Sequence, residues 1–137
     1  MDITTPFKIE FIKIKTKNFA KKKKLIIKEL KKYPEKRQRN FSSNRGDGKL
    51  SRPFSKIFFE ELSQISLHGL TLTDTWSVTY EQGDFHSPHN HGSIGYAGIL
   101  YLDMKPKSPK TTYIQPWNNE KDKSVLYTPE VKAGDMI

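Results

Sequence analysis

Three of the four histidines in this chain, His86, His89 and His91, fall within six consecutive residues. His89 and His91 are one residue apart, and on an extended chain residues i and i+2 project to the same face, so both imidazoles can reach one point. Two neutral imidazoles reaching one point are a pair of metal ligands. Pro88 restricts the approach to the pair, while Gly92 leaves room beside an ion and lets the chain turn. His86 can reach the same ion, support it from behind or bind nothing. The 137 residues include no cysteine, so a thiolate site and a Cys nucleophile are excluded and any metal falls to His, Asp or Glu. Zinc carrying a hydroxide and non-haem Fe(II) with its oxygen chemistry both suit two nitrogen ligands with open positions. The bland alternative is a His-x-His pair sitting idle on a polar surface loop.

Strands must position such a pair. Leu70, Leu72, Asp74, Trp76, Val78 and Tyr80 lie on one side of an extended chain, with Thr71, Thr73, Thr75, Ser77 and Thr79 on the other, which predicts a strand leading into the histidines. Residues 94–103 read as the strand leading out, 111–115 as a third and 125–128 as a fourth. Met136 and Ile137 begin a fifth. Turn-rich stretches at 105–109 and 118–122 separate them. Short strands with no helix between them point to an antiparallel sandwich or barrel.

The first half is different. Phe7 to Phe11 and Ile12 to Lys15 alternate apolar with charged residues in opposite phases, as an edge strand with a bulge does. Phe19, Ile26, Leu30 and Tyr33 share one helical face over residues 19–33, with Asn18 as N-cap and Pro34 as stop. Residues 35–49 lack periodicity and read as a mobile or closing loop. Arg45-Gly46-Asp47 and Asn40-Phe41-Ser42 inside it are chance matches to short motifs. Ser51 precedes a second helix from Pro53 to about Leu67, whose Phe54, Ile57, Phe58, Leu62 and Ile65 form an apolar face, with Gly69 at its end.

The net charge of +9 is lopsided. Residues 1–52 hold 17 Lys and Arg against 5 Asp and Glu, a balance of +12, whereas residues 53–137 hold 7 against 10, a balance of −3. The basic character therefore does not belong to the histidine half. The Lys21 to Lys24 run reads first as a solvated helix face and second as an anion-binding one. No apolar run approaches membrane-spanning length and no secretion signal opens the chain, which predicts a cytoplasmic protein with no membrane partner.

The blocks Trp76-Ser77-Val78-Thr79-Tyr80, Gly83-Asp84-Phe85, His89-Asn90-His91-Gly92, Tyr96-Ala97-Gly98-Ile99-Leu100-Tyr101-Leu102 and Ala133-Gly134-Asp135-Met136-Ile137 resemble, in this order, 2-oxoglutarate and Fe(II)-dependent oxygenases. The closest resemblance is to a small group common in phages and marine bacteria, and it covers about residues 70–137. It implies a mainly β fold with N-terminal helices (α+β), namely a double-stranded β-helix or jelly roll. In one domain, residues 1–69 would form a basic helical segment packed on the barrel and residues 70–137 a partial core, incomplete at the C-terminus. It implies hydroxylation coupled to decarboxylation of 2-oxoglutarate, with Fe(II) as cofactor and 2-oxoglutarate as small-molecule cosubstrate. His89 matches the first iron ligand, and His91 stands where the wider superfamily has Asp or Glu. Tyr101 and Tyr80 match positions whose phenols hydrogen-bond the cosubstrate carboxylate. Trp76 and Tyr96 are core or pocket wall. The distal His and the cosubstrate-pairing Arg or Lys of the family would follow the Gly134-Asp135 turn, beyond Ile137.

Two other readings compete. Gly83 followed by five residues and His89-Asn90-His91 fits the start of a first cupin motif, but Ser93, Ile94, Gly95 and Tyr96 stand where its Glu belongs. Alternatively the chain is a non-catalytic β domain whose Lys-rich N-terminal segment contacts nucleic acid or a protein partner, although that segment lacks the interleaved Arg and aromatic residues of a stacking groove.

Overall fold

The alternation before Phe19 yields a short strand, β1 (Ile14–Lys15), with Ile14 buried and Lys15 exposed. A computed structural model describes residues 9–45, 48–66, 69–91, 95–105, 108–119 and 121–137. The expectations placed on Phe7, Lys8, Gly46, Leu67, Gly92 and Ile94 lie outside the described residues. β1 pairs antiparallel with β7 (Asp135–Met136), placing Ile14 opposite Met136. On the far side of β7, Ile99 and Ile137 exchange backbone bonds of 2.8 and 3.0 Å, and Tyr101 N–H donates to the Asp135 carbonyl at 3.0 Å. The last residues of the chain are therefore flanked on both sides, with β1 at the edge as its charged alternation predicts. Of the strand expected over 94–103, the paired part is 99–101.

Helix α1 (Phe19–Leu30) ends three residues before the expected limit, because Lys32 and Tyr33 N–H close i−3 bonds to Glu29 and Leu30 ahead of Pro34. Asn18 does stand at its N-cap, but it caps through the backbone. Its φ of 51° is left-handed, its side chain makes no capping bond, and its carbonyl accepts from Lys21 and Lys22 N–H. Asn tolerates that conformation better than most residues. The second expected helix is two, α2 (Ser51–Ile57) and α3 (Phe59–Ser66), interrupted at Phe58. Ser51 is the first residue of α2 and Leu50 takes the cap position. The Phe58 ring is fully buried against Phe54, with centroids 4.6 Å apart, and joins Ile14, Ile26 and Met136 as the core.

Residues 35–49 correct the loop expectation. They contain the antiparallel hairpin β2 (Lys36–Arg37) and β3 (Ser42–Ser43), and β3 pairs in turn with β4 (Val78–Thr79). Apolar alternation is missing because the buried residues are polar. Ser43 and Asn44 are buried, and the Asn44 amide donates to the Tyr33 carbonyl at 3.1 Å and accepts from Ser77 N–H at 2.8 Å. The strand expected over 70–80 shrinks to β4 for a related reason: Ser77 and Thr75 N–H are taken by the side chains of Asn44 and Asp74. A third small sheet pairs β5 (Tyr113–Ile114) with β6 (Leu126–Tyr127). The fold is thus α+β, with three helices and three small antiparallel sheets among the described residues. No helix among them is long and apolar enough to cross a membrane.

Two buried carboxylates tie these pieces together. Glu61, with no exposure, accepts Lys17 N–H at 2.9 Å and Lys22 Nζ at 3.0 and 2.8 Å, so α3 is bonded both to the turn after β1 and to α1. Burial alone would push the Lys22 ammonium down, but its bonds to Glu61 and Glu60 leave its pKa raised. Lys23 likewise pairs with Asp103 at 3.1 Å. The lysine run is therefore not a uniformly solvated face: Lys22 meets a buried carboxylate and Lys23 a surface one, while Lys21 and Lys24 are exposed. Asp135, 2% exposed, accepts Lys132 N–H at 3.1 Å and pairs with Lys13 at 3.0 Å. Gly134 before it has φ 93°, and a Cβ there would lie 2.9 Å from Cγ of Phe19, so both backbone and space require glycine.

Lys22→Met leaves the Glu61 carboxylate buried with only the Lys17 N–H, and is expected to cost ~3 kcal/mol, the low end for a broken buried pair, in urea unfolding. For Asp135, burial raises the pKa but the Lys13 ammonium and Lys132 N–H outweigh it and leave it lowered. Its stabilisation is complete above the ordinary carboxylate pKa of about 4 and is lost as pH falls through the lower folded value. Asp135→Asn is expected to flatten the acid side of a Tm-against-pH curve, and an unchanged slope would contradict this role.

Candidate metal centre

The register of β2, β3 and β4 puts Phe41, Ser43 and Arg45 on the same sheet face as Trp76, Val78 and Tyr80. Two contacts agree with it: the Phe41 and Tyr80 rings lie 6.2 Å apart, and the Arg45 guanidinium sits 4.8 Å from the Trp76 ring. The histidine loop folds back over this face. His86 packs on Phe41 at 4.4 Å, His89 stacks on His86 at 4.1 Å, His91 meets His89 edge-on at 5.0 Å, and His91 stacks on Trp76 at 5.8 Å. Five rings thus run without interruption from Phe41 to Trp76. Trp76, expected as core or pocket wall, lies between the Arg45 guanidinium and the His91 ring. Tyr96, expected in the same role, is 54% exposed and its hydroxyl lies 3.4 Å from Glu10.

The loop leaves β4 through a tight turn. Gly83 has φ 86°, the left-handed conformation that the turn needs and glycine supplies without strain. Asp84 N–H donates to the Glu81 carbonyl at 3.1 Å, and Glu81 N–H donates back to Asp84 Oδ2 at 2.8 Å. Both Asp84 oxygens also accept from the Arg37 guanidinium at 2.6 Å. That guanidinium, helped by the Glu81 N–H, holds the Asp84 pKa down to about 2. Phe85 N–H then donates to the Asn40 carbonyl at 3.1 Å.

The imidazoles have distinct electronic settings. His89 Nδ1 lies 2.8 Å from the Ser87 carbonyl, which can only accept, so Nδ1 carries the proton and the neutral ring keeps its lone pair on Nε2. Burial lowers the His86 and His91 pKa values, and the neighbouring His89 and Arg45 lower them further, favouring the neutral, ligand-competent form. With centroids 5.0 Å apart, the His89 and His91 rings are near enough for one nitrogen of each to bind a shared ion at about 2 Å. His86 and His89 are near parallel, with planes 29° apart, so their lone pairs run alongside each other instead of converging. Asp84 is already committed to Arg37 and Glu81. Among the described residues no group of three or more His, Asp or Glu side chains is placed to hold one ion.

The two tyrosines separate. Tyr80 is beside the histidines, its hydroxyl 3.5 Å from His86 Nδ1, and burial together with the Asp84 charge raises its pKa. Tyr101 belongs to the sheet around β7, and its hydroxyl is buried without a hydrogen-bond partner among the described residues. Cavities of about 340 Å³ lined by Ile9, Glu10, Phe11 and Ile12, and about 210 Å³ bordered by Phe59, Leu62 and Leu72, involve neither tyrosine nor any of the three histidines. Comparison with protein families, with curated proteins and with solved structures finds no match.

The ring ladder predicts separable responses. Phe41→Ala is expected to release the His86 imidazole signals in proton NMR and to cost about 1 kcal/mol of stability, the worth of an aromatic pair. His91 should keep its shift in that variant and lose it in Trp76→Ala. If both variants move all three histidines equally, the rings do not form an ordered ladder.

Proposed function

We propose that His89 and His91 bind a divalent metal, and that the chain carries the iron-binding part of a 2-oxoglutarate and Fe(II)-dependent oxygenase built on a double-stranded β-helix. The observation that carries the metal reading is the His89 ring: its Nδ1–H is spent on the Ser87 carbonyl, which leaves Nε2 as a donor within reach of His91. A second hydrogen bond of this kind orients metal-binding imidazoles and strengthens them as ligands. The oxygenase reading rests on the ordered sequence blocks from Trp76 to Ile137 and is in keeping with the antiparallel pairing of every sheet.

The donors present fit two positions of such a site and not a third. His89 and His91 would hold the ion, and His86 would lie behind them against Phe41. Bound Fe(II) with 2-oxoglutarate would supply oxygen activation coupled to decarboxylation. The protein's own share is to keep His86 and His91 neutral, to fix the His89 tautomer and to wall the loop with Trp76. Of the two phenols, Tyr80 offers a donor to a cosubstrate carboxylate beside His86, whereas Tyr101 lies in the sheet around β7 and not at the histidine loop. The primary substrate would be selected by loops outside this motif.

Calorimetry with Co(II), an air-stable surrogate for Fe(II), tests the site. His89→Ala and His91→Ala are each expected to weaken binding by more than the about 10- to 100-fold that loss of a supporting contact costs. His86→Ala should fall within that smaller range. Unchanged affinity in both of the first two variants would remove the site. Succinate formation dependent on 2-oxoglutarate tests the oxygenase, and no succinate above a metal-free control rejects it.

A further inference from the structure

We propose that Arg37 and Asp84 form a positioning clamp that sets the geometry of the histidine loop from outside the ring ladder. The role goes beyond the metal site itself, although its effect on metal affinity rests on that reading. Three consecutive residues are held in turn by the β2–β3 hairpin. Asp84 takes the Arg37 guanidinium through two bonds of 2.6 Å, Phe85 N–H donates to the Asn40 carbonyl at 3.1 Å, and His86 packs on Phe41 at 4.4 Å. Beyond His86 the contacts run through the stacked rings and the Ser87 carbonyl to the Trp76 ring beside His91. The orientation of His86, and of His89 stacked on it, therefore depends on where residues 84–86 are fixed, while His91 is held at its far side by Trp76.

The Asp84 carboxylate is built for this. Its side chain is 7% exposed in a turn whose neighbours Glu81, Gln82, Gly83 and Phe85 are exposed. It closes that turn on itself through the Glu81 N–H while its two oxygens meet a planar guanidinium fork. A bidentate pair fixes direction as well as distance, which a lysine ammonium does not. Arg37 stands on the outer strand of a three-stranded sheet, so the fork carries the rigidity of that sheet to a loop that leaves from its other edge.

The test uses the full chain with Arg37→Ala, Arg37→Lys and Asp84→Asn, read first without metal by imidazole proton NMR. The clamp predicts that the ring-current shifts of His86 and His89 collapse towards free-histidine positions in all three, and that methylguanidinium restores them in Arg37→Ala alone. Unchanged shifts in Arg37→Ala and Asp84→Asn overturn the proposal. So does a global loss of dispersion that methylguanidinium does not reverse, since that marks a purely structural pair. A Co(II) titration then separates the two readings: the variants should bind about 10- to 100-fold more weakly with an altered visible absorption band. Shifts that collapse and recover as expected in a protein that never binds Co(II) sustain the clamp and reject the metal site.

Discussion

The Glu61 carboxylate is the contact on which the rest of the tertiary structure depends. A fully buried charge is tolerated only where every oxygen is satisfied. Here Lys22 on α1 and the backbone of Lys17 satisfy it together. Because Lys17 lies between β1 and α1, one side chain on α3 fixes both the strand and the helix that follows it. Ile26 and Ile14 are thereby brought onto Phe58, and Ile14 in turn carries Met136 through the β1–β7 pairing.

A second theme is repeated. Gly83-Asp84 and Gly134-Asp135 are the same device used twice: a glycine with positive φ, then an aspartate that accepts the N–H three residues back and takes a cation from a distant strand. The cation is Arg37 in one case and Lys13 in the other. One turn launches the histidine loop from β4, and the other launches β7 into the sheet. Each converts a local bend, which alone would be soft, into a fixed exit direction. Asp84 was not singled out as a functional residue by sequence reasoning, yet the recurrence of Gly-Asp before an extended segment was readable and would have pointed to it.

Where local signals were strong the chain could be read directly. Helices beginning near Phe19 and Ser51 and the histidine cluster follow from periodicity and residue type, because apolar spacing and glycine or proline punctuation act over a few residues; the strands expected in the second half shrink to two-residue pairings at 78–79, 113–114, 126–127 and 135–136. The hairpin of β2 and β3 was illegible because its buried residues, Ser43 and Asn44, are polar, and the Asn44 amide is satisfied by Tyr33 and Ser77, far away in sequence. The inward Lys22 was hidden for the same reason: within a run of four lysines nothing local distinguishes the one that meets a buried carboxylate.

The sequence by itself determined the candidate donors. Three histidines in six residues, no cysteine and a strand entering the cluster limit the metal chemistry before any coordinate is known. Only the tertiary structure decided their order: His86 on Phe41, His91 on Trp76, His89 between them with its tautomer set by Ser87, and Asp84 drawn away to Arg37. The physical reason is range. Side-chain chemistry and alternation are local properties, whereas ring stacking and ion pairing join residues tens of positions apart, and they exist only once three strands have been brought side by side.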